Sequence, residues 1–202
     1  MAAFQTLRYR YTEQQDILVG APFSNRDKVE LERLIGFFNE TLVMRTKIDA
    51  QTTFQQLIEQ VKQTTIDTFA HKSIPFGQIV NEINPERQGS ANPIFQAMFV
   101  YNGAAADLNF GADVTVEEEM LDLGVSKFDL TLFVSDLKDQ MRVTFDYSTD
   151  LFESTTIGRM LSYLEVLWTN LLLQPDKPIA QLELLTKEEQ QQIIYDWNQK
   201  DT

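Results

Sequence analysis

The chain has 202 residues, of which 43% are hydrophobic and 23% charged, a composition typical of one or two globular domains and unlike that of a disordered chain. Lysine and arginine number 17 against 30 acidic residues, and the formal charge of −13 argues against binding to a nucleic-acid backbone. The absence of cysteine excludes disulfides, thiolate nucleophiles and cysteine–zinc sites, and the single histidine excludes any site that needs two imidazoles from this chain.

The N-terminal stretch mixes Arg8 and Arg10 with apolar residues, and it lacks the unbroken apolar run and the cleavage site of a signal peptide. Apolar runs elsewhere are short, such as residues 171–173, whereas roughly 20 apolar residues are needed to span a bilayer. We therefore expect a soluble cytoplasmic protein with no membrane partner.

The first half of the chain predicts helices and strands in alternation. Residues 41–48 alternate between apolar and polar side chains with the period of a strand. Thr52 and Gln55 have the spacing of a capping box, and Pro75 is suited to the first position of a helix. The predicted elements are a helix at 2–12, a strand at 16–23, a loop and short helix at 25–32, a strand at 41–48, and helices at 52–70 and 75–83.

The second half predicts a loop, four strands and two helices. Residues 155–173 carry apolar side chains at helical spacing, and Thr186 with Glu189 predicts a capping box that opens a short polar helix ending near Trp197. The predicted elements before them are a loop at 85–93 and strands at 94–101, 114–118, 128–134 and 141–147. We therefore expect an α/β class, with a mixed sheet covered by the helices at 52–70 and 155–173.

The residues alone show no self-contained catalytic centre. The chain has no glycine-rich phosphate loop, no G-x-S-x-G elbow and no H-E-x-x-H string. His71, the one possible imidazole base, follows a predicted helix, where a cation complements the helix dipole, so we favour a structural role for it. The acidic run at 117–119 lies on a predicted strand and points to alternate faces, so we expect no metal site.

Several stretches, in order along nearly the whole chain, resemble motifs of nonribosomal peptide synthetase condensation domains. Residues 34–45 (LIGFFNETLVMR) resemble "IGxFVNTLVLR", 71–76 (HKSIPF) resemble "HQDxPFE", and 90–96 (SANPIFQ) resemble "SRNPLFQ". The stretches 16–22, 126–130 and 149–152 also fit, and the segment from Leu184 resembles the linker into an adenylation domain.

The resemblance implies a chloramphenicol-acetyltransferase-like sandwich that forms one half of a V-shaped domain. Residues 1–183 would be the C-terminal, acceptor-side subdomain, truncated at its N-terminus, and 184–202 the linker. The family's "HHxxxDG" motif belongs to the N-terminal half and is absent from these 202 residues. We therefore expect the chain to be inactive alone.

The function implied by the resemblance is amide-bond formation between aminoacyl or peptidyl thioesters held on carrier proteins. No cofactor would bind directly, because the substrates are attached through phosphopantetheine. The implied partners are the N-terminal half of the domain, a peptidyl carrier protein and the adjacent adenylation domain. A homodimer is also expected, because the face that meets the other half would otherwise expose apolar surface.

The resemblance implies tunnel or acceptor-side positions at Gly36, Glu40, Ser90 and Asn92. Asn92 is the best candidate to face the shared centre, since its amide can donate to or accept from a polarised carbonyl, although with Pro93 it can equally terminate a loop. Gly36 would permit a close backbone approach before the strand. The positions predicted to be structural are His71, Pro75, Phe76 and Pro93.

Departures from the motifs leave two alternatives open. Glu40 stands where the family usually has asparagine, Ala91 replaces the usual arginine, and Gly77 replaces the usual glutamate. These changes fit a non-catalytic scaffold that binds carrier protein or a partner enzyme. A weaker alternative is an oligomeric acyltransferase of the acetyltransferase superfamily that uses His71 as its base.

Overall fold

Five strands form one mixed sheet in the computed structural model, which describes residues 1–26, 28–85, 92–103, 114, 124–137 and 139–198. The strands are β1 (Asp16–Ser24), β2 (Asn39–Lys47), β3 (Ala97–Asn102), β4 (Leu130–Asp136) and β5 (Met141–Tyr147). The α-helices among the described residues are α1 (Ala2–Thr12), α2 (Val29–Glu32), α3 (Phe54–Ala70), α4 (Phe76–Ile83), α5 (Ser154–Leu173) and α6 (Lys187–Ile194). Short 3-10 turns follow at Ile179–Gln181 and Asp196–Asn198.

The strand order is β2-β1-β3-β4-β5. β3 runs parallel to β1 and to β4, with Gly20 opposite Met98, and β5 returns antiparallel to β4. Backbone hydrogen bonds from Ile48 to Gln15 and from Asn25 to Phe38 close the two ends of an antiparallel β1–β2 pair. The mixed sheet with helices confirms the predicted α/β class.

The chain divides into two compact units. The first contains 1–18, 44–71 and 153–202, and the second contains 19–43 and 72–152. In the first unit, the predicted apolar stripe of α5 is buried at the expected helical spacing, through Ile157, Met160, Leu164, Leu167 and Leu171.

The helix α1 is fixed within the first unit by polar contacts as well as by apolar packing. The Gln5 side-chain amide donates to the Thr46 hydroxyl at 2.8 Å, and Arg8 donates to the Leu18 carbonyl at 2.6 Å. Burial lowers the pKa of Arg8, because the guanidinium loses water there. These bonds join α1 to the parts of β1 and β2 that belong to this unit.

The structure corrects several predicted boundaries. The capping box of α3 uses Thr53 and Gln56, not Thr52 and Gln55. The Thr52 hydroxyl is held instead by Asp49, to whose carboxylate it donates at 3.0 Å, so the helix starts one residue later. Pro75 likewise precedes α4 as its N-cap and is not its first helical residue.

Two predicted strands differ from expectation in other ways. β3 starts at Ala97, three residues after the predicted start. The predicted strand at 114–118 lies outside the described residues except for Val114, which is in no strand. In β5 the bounds are as predicted, but Met141 at the sheet edge is exposed and only Phe145 of the predicted apolar face is buried.

Candidate functional site

Three of the motif-like stretches meet in an aromatic cluster in the second unit. Phe95 is 1% exposed, and its ring stacks on Phe128 at 5.4 Å between centroids with an interplanar angle of 28°. The ring of Phe76 lies 5.5 Å from Phe95 at 56°. Each ring comes from a different motif-like stretch, so three stretches converge on the buried Phe95, while Phe76 and Phe128 are half-buried. The stacked and tilted ring pairs have the geometry that aromatic side chains prefer.

A fourth stretch contributes Gly20, which allows the buried ring to approach the backbone of β1. A Cβ atom on residue 20 would lie 2.2 Å from Cε2, 2.4 Å from Cζ and 2.8 Å from Cδ2 of Phe95. Real Cβ atoms essentially never approach that closely, so only glycine fits here with the ring in place.

Asn92, the predicted tunnel residue, forms a local turn. Its Oδ1 atom accepts hydrogen bonds from the backbone amides of Ile94 at 3.1 Å and Phe95 at 3.2 Å, and its carbonyl accepts one from the Gln96 side chain at 3.1 Å. These contacts are those of an Asx turn, which explains why the strand begins only at Ala97. The loop-terminating role is therefore the one that the geometry supports, and a role for Asn92 at a shared centre stays a prediction.

The other predicted tunnel positions occupy different surroundings. Glu40 is half-buried near the start of β2. Pro93, which was predicted to be structural, is half-buried directly after Asn92. Gly36 lies in the exposed loop before β2, where an added Cβ would lie 3.1 Å from Cε2 of Phe38, and its predicted role in a close backbone approach stays a prediction. Ser90 lies outside the described residues. No hydrogen bond or ion pair within the described ranges joins Glu40 or Gly36 to Asn92.

His71 ends α3 in an exposed position and bonds locally. Its Nδ1 atom lies 2.8 Å from the Asp67 carbonyl, and its backbone amide donates to the Thr68 carbonyl at 3.1 Å. An imidazole that caps the last carbonyls of a helix fits the structural role predicted for it.

An ion pair that the sequence did not predict joins two of the motif-like stretches, 16–22 and 34–45. The guanidinium of Arg45 donates to both carboxylate oxygens of Asp16, at 2.6 Å from Nη2 and 2.9 Å from Nε. The hydrogen bond from Arg45 lowers the pKa of Asp16, and both side chains are exposed. The signal available beforehand was the opposite charge of the two side chains on successive predicted strands.

An open groove of about 620 Å³ lies in the first unit, and its lining residues were not predicted together. The Tyr163 hydroxyl donates to Glu189 Oε1 at 2.8 Å, and its ring lies 6.1 Å from the ring of Tyr11. The side chain of Arg10 donates to the carbonyls of Ile179 and Leu182. The lining residues are Arg10, Tyr11, Tyr163, Leu182, Glu183, Leu184, Leu185 and Gln190.

Tyr11, which lines this groove, and Glu189, which accepts a hydrogen bond from the lining residue Tyr163, both have shifted pKa values. Burial raises the pKa of Tyr11 to about 12, so its phenol stays protonated at neutral pH. Burial alone would raise the pKa of Glu189, but hydrogen bonds from the Thr186 amide and the Tyr163 hydroxyl lower it overall, which keeps the carboxylate charged. Neither group suits proton transfer near neutrality.

The part of the chain that the structure describes holds neither a metal-ligand cluster nor a membrane-spanning helix. No group of three or more histidine, aspartate and glutamate side chains there is placed to hold a metal ion. None of the helices there is both long and apolar enough to cross a bilayer.

Known proteins resemble this chain in sequence along nearly its whole length. The model of the family described as "Condensation domain" matches residues 1–194. A linear gramicidin synthase from Brevibacillus parabrevis is 39% identical over 199 residues, which is 98% of this chain and 4% of that protein. Surfactin synthase subunit 1 of Bacillus subtilis (strain 168) is 33% identical over 198 residues, 98% of this chain and 6% of that protein. The chain thus spans only a small part of the curated relatives it matches.

Solved structures share the fold at low sequence identity. A crystal structure of holo-AB3403, a four-domain nonribosomal peptide synthetase bound to AMP and glycine, matches 94% of this chain and 16% of its own with a TM-score of 0.83 and 20% identity. The teicoplanin X-domain in complex with OxyB matches 92% of this chain and 42% of its own, at 0.79 and 22%. The condensation domain of the monacolin K polyketide synthase MokA matches 89% and 42%, at 0.79 and 21%.

Proposed function

Because this chain belongs to the condensation-domain family, we propose that it supplies the acceptor-side part of a nonribosomal peptide synthetase condensation domain. The complete domain would join an amine on one carrier protein to a thioester on another, with both substrates attached through phosphopantetheine. The partners would be the remainder of that domain, a peptidyl carrier protein and an adenylation domain.

The observation that carries this proposal is the family match over residues 1–194, together with the way its motif-like stretches assemble. Gly20, Phe76, Phe95 and Phe128 come from four separate stretches and pack as one cluster. A chain that carried these strings by chance would not bring them into one contact. In this proposal the motif-like stretches have a structural role and hold the strands and loops of the domain in position.

In this proposal the catalytic groups for amide formation belong to the part of the condensation domain outside these 202 residues. Amide formation needs an unprotonated amine and stabilisation of the tetrahedral oxyanion. The 202 residues hold one histidine, and its Nδ1 atom is engaged with the Asp67 carbonyl. We therefore propose that the chain positions substrate arms and is inert by itself.

The test is reconstitution. The chain is mixed with the part of the linear gramicidin synthase that precedes the matched segment in the same condensation domain, and with donor and acceptor carrier proteins carrying aminoacyl-phosphopantetheine. A dipeptidyl mass on the acceptor carrier, absent when either half is omitted, supports the proposal. Product from the chain alone would contradict it.

A second candidate function is a non-catalytic scaffold, and two observations favour it. Glu40 and Ala91 depart from the family pattern. In addition, one solved structure of the same fold is an X-domain in complex with OxyB, a partner protein. If this candidate is correct, the reconstituted domain binds carrier protein and forms no amide.

Restoring the family's usual residues at positions 40 and 91 distinguishes condensation from the non-catalytic scaffold function. Glu40→Asn combined with Ala91→Arg restores the residues usual in the family. If the original domain and the double variant both bind carrier protein but only the double variant forms product, the scaffold function is supported. Equal product from both supports condensation.

A further inference from the structure

We propose that Asn102, the last residue of β3, is a site of spontaneous deamidation, in which the backbone nitrogen of Gly103 attacks the side-chain amide. Asparagine is a thermolabile residue, and its reactivity depends on the backbone amide of the residue that follows it. The modification needs no enzyme and no cofactor. The proposal is therefore independent of the condensation function.

The sequence distinguishes this asparagine from the others. Asn102 alone precedes a glycine. Asn84 and Asn92 precede prolines, which have no N–H to lose, so neither can react by this route. Asn170 lies inside α5, where backbone amides donate to carbonyls of the preceding turn, and its side chain donates to the Glu183 carbonyl at 3.2 Å.

The end of β3 leaves the attacking nitrogen open. Gly103 lies directly after the strand and outside any helix or strand, and it is exposed together with Asn102. Backbone amides that are buried are nearly always paired, but the amide of Gly103 makes no hydrogen bond among the residues that the structure describes. An added Cβ at Gly103 would meet nothing within 4 Å, so the backbone has room to turn toward the side chain of Asn102.

The side chain under attack is held weakly. Its Nδ2 atom donates to the Ser135 hydroxyl at 3.5 Å, which is the outer limit of a hydrogen bond. This pair is also the last one in the β3–β4 register, so no further strand pairing fixes the chain beyond it. The side chain can therefore rotate until its Cγ atom approaches the nitrogen of Gly103.

The reaction conserves atoms and involves no oxidation or reduction. The nitrogen of Gly103 bonds to Cγ of Asn102, the Cγ–Nδ2 bond breaks, and solvent carries the proton of the Gly103 amide to the departing nitrogen, which leaves as ammonia. The product is a five-membered succinimide. Water then opens the ring at Cγ, which leaves an aspartyl residue, or at the backbone carbonyl carbon, which leaves an isoaspartyl residue linked through Cβ.

Both products change the end of the β3–β4 pair. Asn102 lies opposite Ser135, and Ser135 lies opposite Arg142 on β5, so the three side chains share one face of the sheet. An aspartyl residue adds a negative charge to this row. An isoaspartyl residue adds one carbon atom to the main chain, which the register cannot absorb, so we expect the last pair to open.

The experiment ages the full 202-residue chain in mildly alkaline buffer and follows residue 102 by peptide mass spectrometry. Deamidation raises the peptide mass by the difference between a hydroxyl and an amino group, and protein isoaspartyl methyltransferase with S-adenosylmethionine detects the isoaspartyl product separately. We expect residue 102 to convert at least tenfold faster than any other asparagine. Amide hydrogen exchange should become faster at residues 133–136 in the aged protein, with no change in α5.

Gly103→Ala tests the attacking nitrogen. The variant keeps the asparagine, and an alanine fits because the site is open and the φ angle of Gly103 is not positive. A Cβ atom at residue 103 hinders the approach of the nitrogen, so we expect at least a tenfold slower conversion. The matched control is Gly158→Ala, where an added Cβ also meets nothing within 4 Å, and it should leave the rate at residue 102 unchanged.

A comparison with the chain unfolded in guanidinium chloride tests whether the fold leaves the site open. We expect similar rates at residue 102 in the folded and unfolded chains, whereas Asn170 should convert faster once the chain is unfolded. Conversion of residue 102 in the unfolded chain alone would overturn the proposal, and so would a Gly103→Ala protein that deamidates as fast as the original. These measurements read mass and not activity, so failure of the proposed condensation function would leave them unaffected.

Discussion

The contact between Gly20 and Phe95 gives the sharpest test of the packing described above. Gly20→Ala places a methyl group where ring atoms of Phe95 now lie 2.2–2.8 Å away. The ring is buried and is held by Phe76 and Phe128, so it cannot rotate aside without disturbing both neighbours. Overpacking of this kind costs about 1–3 kcal/mol of folding free energy.

Replacing glycine with alanine should stabilise the protein, and not destabilise it, at a second position in the chain. Gly158 lies inside α5, and an added Cβ there has nothing within 4 Å. Alanine is favoured over glycine in a helix interior by about 1 kcal/mol, so Gly158→Ala should stabilise the protein. The two variants should therefore differ in unfolding free energy by roughly 2–4 kcal/mol, in the order Gly158→Ala above the original above Gly20→Ala.

Urea unfolding followed by far-ultraviolet circular dichroism measures this difference, because helices and strands of both units contribute to the signal, whereas both tryptophans lie in the first unit. A double-mutant cycle with Phe95→Leu identifies the cause. Shortening the side chain should recover about 1 kcal/mol of the loss, because residues in contact are not additive. A Gly20→Ala protein as stable as the original would show that the ring of Phe95 does not block a Cβ atom at residue 20.

Three further predictions concern the first unit. Tyr163→Phe removes the hydrogen bond to Glu189 and should speed amide exchange in α6, with little change in α3, as read by hydrogen-exchange mass spectrometry. Asp16→Asn should lower Tm only slightly at pH 7, because its ion pair with Arg45 is exposed and exposed pairs stabilise proteins weakly. Because the pKa of Asp16 is lowered, its contribution is complete above the ordinary aspartate pKa of about 4 and is lost as pH falls through the lower folded-state pKa, so the Tm values of variant and original should converge in acid. His71→Ala should leave stability within about 0.5 kcal/mol. It should also leave amide formation by the reconstituted domain unchanged, whereas lost activity would favour the acyltransferase alternative.

The spacing of apolar residues predicted the helices and strands that bury one face. The stripe of α5 and the alternation of β2 are each read from apolar spacing, and both helix and strand lie where expected. The start of α3 was misplaced because Thr52 and Thr53 both precede a glutamine by three residues. Only the bond between Thr52 and Asp49, a tertiary detail of the turn, selects between them.

The site was less predictable, for a physical reason. The motif-like stretches identified Gly20, Phe76, Phe95 and Phe128, but nothing in their spacing showed that they touch. Their contact depends on the parallel pairing of β1 with β3, which brings distant segments together. The groove around Tyr11 and Tyr163 was not predictable for the same reason, because about three quarters of the chain lies between these two residues in the sequence.

The most direct test of the central claim is the intact mass of the acceptor carrier protein after incubation with both halves of the domain and the loaded donor. We expect a mass increase of one aminoacyl residue that requires this chain and the preceding segment together. Unchanged acceptor mass, with the two halves shown to be bound and the carriers loaded, would contradict condensation and leave the scaffold function in its place.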